Sequence, residues 1–410
     1  MKIPLLKILI KTLLVGILTT VANLAAAASY TITDLGSFGG TSSGLAYAMN
    51  NSGQVVGYSY TAGNVSQHAF LYNGGTMTDL GVGVLAAAIN ARGQVVGTNA
   101  SQHAFLYNGG GMTDLGTFGG TRSQADAING SGQVVGNANT VGNTRQYAFL
   151  YSGGAMTNLG TLGGTFSYAY AINDSGQVVG NAGTAGNASH AFLYSGGAMT
   201  DLGTLGGAGS EADLINNSGQ VAGLSYTAGN TSEHAFLYSG GAMTDLGTLG
   251  GTFSEANAMN NIGQVVGFSY IGYSDTRGNA LSHAFLYSGG AMTDLGTFGG
   301  THSEALAIND SGQVVGAATT AGNAADNAFL YSGGVMTNLN IFLAPGSPWT
   351  LNDAYLINDA GQIIANGFDQ TGNDHIFLLN PTTTPVPSAV WLVGSALAGL
   401  GFFVKRRNKS

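Results

Sequence analysis

The sequence predicts an all-β fold, and three features point to its architecture. A segment close to INxxGQVVG recurs eight times, with its Gly-Gln step at Gly53, Gly93, Gly132, Gly176, Gly219, Gly263, Gly312 and Gly361. The first seven repeats hold four short strand-like segments separated by turn residues, and the eighth holds three. One further strand-like segment, residues 30–36, precedes the first repeat. Four strands per forty-odd residues, repeated four to eight times, are typical of a β-propeller.

The fourth repeat illustrates the four strands. They are predicted over residues 169–173 (AYAIN), 177–179 (QVV), 190–194 (HAFLY) and the following MTDL segment. Asn, Asp, Ser and Gly between them favour tight turns, and a Gly-Gly pair between two strands predicts a hairpin. The HAFLY segment is apolar on both faces, so it requires a neighbouring sheet on each side. Stacked repeats would provide those neighbours.

The strand count predicts how the array closes. The last repeat ends at residues 375–380 and no MTDL strand follows, whereas residues 30–36 (YTITDLG) are a strand of that missing type. An N-terminal strand that completes the last sheet would remove free sheet edges. We therefore predict eight four-stranded blades over residues 29–380, closed by the N-terminal strand. An open or split array is the alternative.

Composition excludes several classes of protein. The chain has 68 glycines, 8% charged residues and no cysteine, which excludes a disulfide framework and thiolate metal sites. Between residues 29 and 387, four arginines stand against 20 acidic residues and there is no lysine, giving a net charge of −16 with histidine neutral. This balance argues against nucleic-acid binding through a basic patch, and the missing lysine excludes Schiff-base chemistry in the body.

Both chain ends look like targeting signals. Residues 1–28 combine Lys2, Lys7 and Lys11 with an apolar run and a final Ala-Ala-Ala, which predicts a signal peptide. An uncleaved anchor is the alternative. Residues 381–387 form a Thr/Pro linker, and residues 388–410 are an uncharged span followed by a basic tail, which predicts a C-terminal transmembrane helix. The positive-inside rule then places the body outside the cytoplasm.

The C-terminal tail resembles a PEP-CTERM sorting signal. The matching residues are Pro385, Val386 and Pro387, then Trp391-Leu392, then the basic cluster Lys405, Arg406, Arg407. Val386 stands where the family name has Glu. The resemblance implies processing by an exosortase in a Gram-negative bacterium, delivery to the cell surface, and a link to biofilm and exopolysaccharide. A plain membrane anchor is the alternative.

The repeats resemble the HAF-repeat family of extracellular proteins. The His-Ala-Phe triplet begins at His68, His103, His190, His234 and His283. The resemblance covers nearly all of residues 30–380. It implies an extracellular location and no defined activity.

The repeated polar residues are candidates for chemistry, but their symmetry favours structural roles. Six histidines begin third strands, and six aspartates occupy fourth strands. We expect the histidines to form a hydrogen bond within each blade, and the aspartates to keep the outer edge soluble, with Ca²⁺ binding as the alternative. The sequence contains no nucleophile elbow, HExxH or phosphate-binding loop. We therefore expect no catalytic, cofactor or metal residues.

The segments that break the repeat are better candidates for recognition. The connection between the second and third strands is longest in repeat six, residues 268–282, where it holds Tyr270, Tyr273, Asp275 and Arg277. Loops on a rigid scaffold often carry recognition, and these side chains would suit a carbohydrate. An insertion without function is the alternative.

These observations predict a non-enzymatic, exported protein that acts as a structural or interaction module in exopolysaccharide. One alternative is a ligand-binding, lectin-like propeller. Tails of this kind have also been labelled ice-binding, although the sequence shows no flat threonine array. A propeller hydrolase or lyase is a further alternative.

Overall fold

The computed structural model describes residues 29–274 and 280–382. The predicted signal peptide, the sorting residues Pro385, Val386 and Pro387, the predicted transmembrane helix and the basic residues Lys405, Arg406 and Arg407 lie outside the described residues. Within them, no helix is both long and apolar enough to cross a membrane. Residues 32–379 form one compact unit. The described residues beside it pair with each other, since the Thr382 hydroxyl donates to the Ser29 carbonyl oxygen at 3.0 Å.

The described residues form short strands almost throughout, four per repeat. The strands are β1 Ser29–Asp34, β2 Leu45–Met49, β3 Val55–Tyr60, β4 Gln67–Asn73, β5 Thr76–Val82, β6 Leu85–Ile89, β7 Val95–Thr98, β8 Ala104–Tyr107, β9 Met112–Gly116, β10 Gly119–Ile128, β11 Val134–Thr140, β12 Gln146–Ser152, β13 Ala155–Asn158, β14 Gly163–Ile172, β15 Val178–Thr184, β16 Ser189–Ser195, β17 Ala198–Gly203, β18 Gly206–Ile215, β19 Val221–Thr227, β20 Glu233–Ser239, β21 Ala242–Asp245, β22 Ser254–Met259, β23 Val265–Ser274, β24 Ala280–Ser288, β25 Ala291–Gly296, β26 Gly299–Ile308, β27 Val314–Thr320, β28 Asp326–Ser332, β29 Val335–Asn338, β30 Thr350–Ile357, β31 Ile363–Phe368 and β32 Asp374–Thr382. Short 3-10 turns lie at Ala62–Asn64, Val141–Asn143, Ala321–Asn323 and Leu339–Phe342.

The four strands of each repeat pair in chain order and form antiparallel sheets. A single parallel bridge, Ser282 to His302, joins the sheets of repeats six and seven. In repeat eight the chain supplies only β30, β31 and β32, and β1 occupies the fourth position beside β32. The Leu35 amide donates to the Ile376 carbonyl oxygen at 2.9 Å just beyond β1. The N-terminal segment therefore completes the last sheet, as its sequence predicted.

The invariant asparagine of INxxGQ explains the turn between the first two strands. In repeat four, the Asn173 carboxamide oxygen accepts hydrogen bonds from the Ser175 and Gln177 amides at 3.1 and 3.0 Å. Gly176 closes this turn at φ +78°, a left-handed conformation that favours glycine. Gly180, in the following strand, lies so near β14 that an added Cβ would be 1.9 Å from the Tyr168 carbonyl oxygen. Turn chemistry and close approach together fix the spacing of the repeated residues.

The core lies between successive sheets. Phe192 of repeat four packs with Ala169 and Val178 of its own sheet and with Ala148 and Leu159 of the preceding one. The equivalent phenylalanine is fully buried in every repeat: Phe70, Phe105, Phe149, Phe192, Phe236, Phe285, Phe329 and Phe377. Ala191, on the other face of the same strand, packs with Ala212 and Val221 of the following sheet, so the two-sided burial predicted for the HAFLY strand is confirmed. Four-stranded sheets that pack on one another in chain order are consistent with a β-propeller.

The same asparagines also link each repeat to the next. The Asn173 side-chain amide donates to the carbonyl oxygen of Asn216 at 3.1 Å, and the other repeats repeat this contact at 3.0–3.1 Å. The last member, Asn358, donates to the Asn50 carbonyl oxygen of repeat one at 3.1 Å. An apolar cluster with Leu35, Phe70 and Ile376 lies at the same junction. The hydrogen-bond chain therefore returns to its first member.

The first strands begin earlier than the sequence predicted: β14 starts at Gly163, whereas residues 169–173 were expected. Glu211, Glu255 and Glu304 lie inside the first strands of their repeats. His302 belongs to β26, where its amide donates to the Thr319 hydroxyl at 2.9 Å. The reason is that the first strand extends backwards through the preceding glycine-rich segment in several repeats. Residues 268–282 were expected to be a long loop, but strand pairing continues to Ser274 and resumes at Ala280.

Candidate functional site

Six histidines each form a hydrogen bond with the aspartate of the fourth strand, which is an ion pair when the histidine is protonated. The Nδ1 to carboxylate distances are 2.8–2.9 Å for His68–Asp79, His103–Asp114, His190–Asp201, His234–Asp245, His283–Asp294 and His375–Asp34. Because an ionised carboxylate only accepts hydrogen bonds, Nδ1 carries the proton that is donated. The bond predicted within each blade is present. The sequence analysis did not predict that the partner is the aspartate. The constant spacing of eleven residues between the two, in every pair except His375–Asp34, could have indicated it.

The histidine and the aspartate are replaced together. Repeat three has Tyr147 with Asn158, and repeat seven has Asn327 with Asn338. The Asn158 side chain still accepts the amide of Gly160 at 2.8 Å, as the aspartates do from the glycine two residues on. The exchange therefore keeps the turn and removes only the ion pair. The pair is a local structural contact, and a repeat can form without it.

One of these pairs has additional polar neighbours. In repeat eight, His375 contacts Asp34 through Nδ1 at 2.8 Å, and its Nε2 lies 3.9 Å from the carboxylate of Asp369. Asp369 accepts hydrogen bonds from the Thr371 hydroxyl at 2.7 Å and from the Asn373 amide at 3.0 Å. These bonds lower the pKa of Asp369, the Thr371 hydroxyl having the largest effect. His375 is the only histidine in the described part of the chain with two carboxylates inside 4 Å.

The segment before β30 places an aromatic residue against this pair. In residues 339–349, the usual glycine-rich connection is replaced by LNIFLAPGSPW. Asn340 fixes this loop, because its side chain exchanges two hydrogen bonds of 2.8 Å with the backbone of Leu351. Leu339 is fully buried beneath it. The loop is therefore anchored at its base, and its far end carries Trp349.

Trp349 forms the wall of a cavity at the His375–Asp34 pair. Its ring lies 4.5 Å from the His375 ring and 5.4 Å from the Phe377 ring, measured between centroids. The cavity has a volume of about 390 Å³, and its lining includes Ile32, Asp34, Phe342, Pro348, Trp349 and Phe377. Aromatic surface beside a few fixed polar groups is typical of a small-molecule site. We call this cavity the Trp349 pocket.

Trp349 also borders a second, more open hollow on the side of repeat seven. This hollow is about 470 Å³, and its lining includes Asn327, Asn340, Pro345, Ser347 and Thr350. Asn327 is the residue that replaces histidine in this repeat. Trp349 therefore stands between a repeat that keeps the ion pair and one that lacks it, and both of its sides border recessed surface.

Carboxylates dominate the electrostatics near this corner of repeats seven and eight. Burial raises the pKa of Asp353 to about 6, and the charges of Asp326 and Asp374 contribute in the same direction. Its Oδ1 is buried and has no hydrogen-bond partner among the described residues. No lysine or arginine lines either hollow. The local potential therefore favours a neutral or positively charged ligand.

The predicted ligand residues of repeat six are only partly described. The Tyr270 ring lies 5.2 Å from Phe253 and 6.3 Å from Phe268, in an aromatic cluster at the base of the β23–β24 hairpin. The side chain of Tyr273 and both Asp275 and Arg277 lie outside the described residues. The described residues therefore do not test whether these four side chains form one site. Across residues 29–274 and 280–382, no group of three or more His, Asp or Glu side chains is arranged to hold a metal ion.

Comparisons with known proteins give the fold little further support. No protein-family model matches the chain, and no curated protein is detectably similar. A triple mutant of AofleA from Arthrobotrys oligospora matches at 8% identity, covering 76% of this chain and 88% of that one, with a TM-score of 0.33. TolB from Acinetobacter baumannii matches at 11% identity, covering 80% and 79%, with a TM-score of 0.34. At these scores the fold argument rests on the strand topology alone.

Proposed function

We propose that this protein is an exported, non-enzymatic β-propeller of eight blades that binds carbohydrate in an extracellular polysaccharide matrix through the Trp349 pocket. Eight blades are supported by the asparagine hydrogen-bond chain, which returns from Asn358 to Asn50, and by β1 in the last sheet. The observation that carries the binding function is the Trp349 ring beside the Asp34 carboxylate in one recessed site.

The proposed export and sorting of the protein rest on the two chain ends. A cleaved signal peptide over residues 1–28 would export the chain, and the tail after residue 388 would hold it at the inner membrane. An exosortase-type enzyme would recognise the segment around Pro385, Val386 and Pro387 and release the body to the cell surface. The acidic, lysine-free body suits a protein that works outside the cell and binds no nucleic acid.

Carbohydrate fits the pocket because sugars present an apolar face and a rim of hydroxyl groups. The Trp349 ring offers a flat surface on which a pyranose can stack, and the Asp34 carboxylate accepts hydroxyl hydrogen bonds at its edge. Asp369 adds a second carboxylate 3.9 Å from Nε2 of His375.

Binding to neutral oligosaccharides by isothermal titration calorimetry tests this proposal. We expect Trp349→Ala to weaken binding at least about tenfold, and Trp349→Phe to retain part of it, since aromatic contacts of this kind contribute roughly 0.5–1.5 kcal/mol beyond buried area. Tyr270→Ala, in the aromatic cluster of repeat six, is the matched control and should bind normally. Unchanged binding by Trp349→Ala would contradict the proposed site, and loss only in Tyr270→Ala would assign recognition to repeat six.

The sorting proposal has its own test. Replacing the three residues Pro385, Val386 and Pro387 by alanine should leave the body attached to the membrane fraction, whereas the unchanged chain should appear in the medium in a shorter form. Immunoblotting of cell fractions separates the two results. Equal release of both chains would count against tail processing at this segment.

A further inference from the structure

The charges around the Trp349 pocket select among carbohydrates. Asp34 lines the pocket, and Asp369 lies 3.9 Å from the ring of His375 that holds Asp34 in place. The described basic residues, Arg92, Arg122 and Arg145, line neither hollow beside Trp349. The site therefore combines one aromatic platform with an aspartate, and no lysine or arginine of the described residues lines it.

We infer that the Trp349 pocket recognises a sugar carrying a free amino group, as in a polymer of de-N-acetylated hexosamine. This inference rests on the proposed function and specifies its ligand. A protonated amine would form a charge-assisted hydrogen bond to the Asp34 carboxylate, while the sugar ring packs on Trp349. A uronic acid would place a second negative charge against Asp34 and would be repelled.

Asp34 has acceptor capacity left for such a ligand. One of its carboxylate oxygens accepts the Gly36 amide at 2.8 Å, and the other accepts from His375 at 2.8 Å. A carboxylate offers about four acceptor positions, so two remain after these bonds. The side chain of Asp34 is 30% exposed, which leaves it accessible from the pocket. His375 acts as a positioning residue, because it fixes the carboxylate and contacts Trp349 with its ring.

The other ion pairs of the repeat provide internal controls. Asp201 makes the same contacts with His190 and with the Gly203 amide. No tryptophan accompanies it, because Trp349 is the only tryptophan in the described residues. The Asp34 site thus differs from the Asp201 site by the aromatic platform and by the extra carboxylates. Asparagine already occupies the aspartate position in repeats three and seven and keeps the turn there, so Asp34→Asn should fold.

Calorimetric titration of the full chain in detergent with three tetrasaccharides tests the inference. The probes are glucosamine, N-acetylglucosamine and galacturonic acid tetramers at mildly acidic pH and low salt. We expect the glucosamine tetramer to bind at least about tenfold more tightly than the acetylated one, and the galacturonate not to bind. Added salt should weaken the glucosamine complex, since its charges are partly exposed.

Two variants separate the contributions. Asp34→Asn should abolish the preference for the free amine, and Trp349→Ala should weaken both aminosugar tetramers. Asp201→Asn is the matched control and should change neither affinity. Equal binding of the free and acetylated tetramers, sensitive to Trp349→Ala, would overturn this inference and leave the proposed function standing. Tighter binding of galacturonate would also overturn it. Failure of the unchanged chain to bind any saccharide would overturn the proposed function as well.

Discussion

The hydrogen bonds that link the repeated asparagines and the Trp349 pocket differ in how they relate to the repeat. Every repeat supplies the same asparagine, and each makes the same contact with its neighbour at 3.0–3.1 Å. The Trp349 pocket lies where the connection to repeat eight differs from the repeated sequence. The N-terminal strand supplies its aspartate, Asp34. The difference indicates that the repeated residues stabilise the array, whereas the exceptional segment places an aromatic ring beside an aspartate in a recess. The predictions below test the first half of that comparison.

Removing residues 29–36 should have the largest effect. The deletion takes away β1, the Asp34 partner of His375 and the buried Leu35. Because burial of Leu35 and Tyr30 contributes about 1.5–3 kcal/mol each, we expect a loss of at least about 3 kcal/mol and aggregation through the exposed β32 edge. Thermal unfolding by circular dichroism with light scattering measures both. Thr33→Ala, at an exposed position of the same strand, is the control. A deletion variant that melts unchanged without aggregating would argue against N-terminal closure.

Asn173→Ala should be the next largest effect. It removes the bond to Asn216 and the two acceptor contacts within its own turn, at a position that is 3% exposed. We expect a loss of about 2–4 kcal/mol in urea unfolding, because buried backbone groups lose their partners. The exposed neighbour variant Asn217→Ala should cost less than about 1 kcal/mol.

The same substitution at the junction sharpens the test of closure. If the array is one closed ring, Asn358→Ala should destabilise the protein as much as Asn173→Ala, because both remove one of eight equivalent bonds. A much smaller loss at Asn358 would indicate that the junction of repeats eight and one is open.

The acidic first strands should make stability depend on pH. Burial raises the pKa of Asp213 to about 7, and the charges of Glu211 and Glu255 act in the same direction. The folded state therefore holds a proton that the unfolded state releases from about pH 4 upward, so stability should fall as pH rises from about 4 to 7. Asp213→Asn should flatten this slope and add about 1–2 kcal/mol at pH 8. Asp174→Asn, at an exposed position, controls for the loss of one negative charge. A slope that Asp213→Asn does not alter would disprove this assignment.

The repeated ion pair should contribute least. Replacing His190 and Asp201 together by asparagine imitates repeat seven and should cost less than about 1 kcal/mol, because the pair is partly exposed. A double-mutant cycle from the two single variants measures the coupling energy. Coupling well above about 1 kcal/mol would mean that repeats three and seven compensate for the missing pair in some other way.

Much of the fold was predictable because the information is local and repeated. Turn residues such as Asn173 and Gly176 determine where strands end, and Phe192 marks a strand buried on both sides. The site was less predictable. The longest insertion selected Tyr270 and its neighbours, whose role stays a prediction, whereas the pocket that we propose as the binding site lies at Trp349. The length of an insertion does not show whether its residues extend a hairpin, as in repeat six, or form a loop that packs on its own sheet, as in residues 339–349.

The sequence by itself determined the number of repeats, the order of their strands and the need for residues 30–36 to complete the last one. Each of these follows from periodicity and turn chemistry along the chain. Only the tertiary structure showed that Asp34 contacts His375 and that Trp349 packs against His375. It also showed that Asn358 donates a hydrogen bond to Asn50. Such neighbours lie far apart in the chain, and they come together because the packing of one sheet on the next fixes their distance.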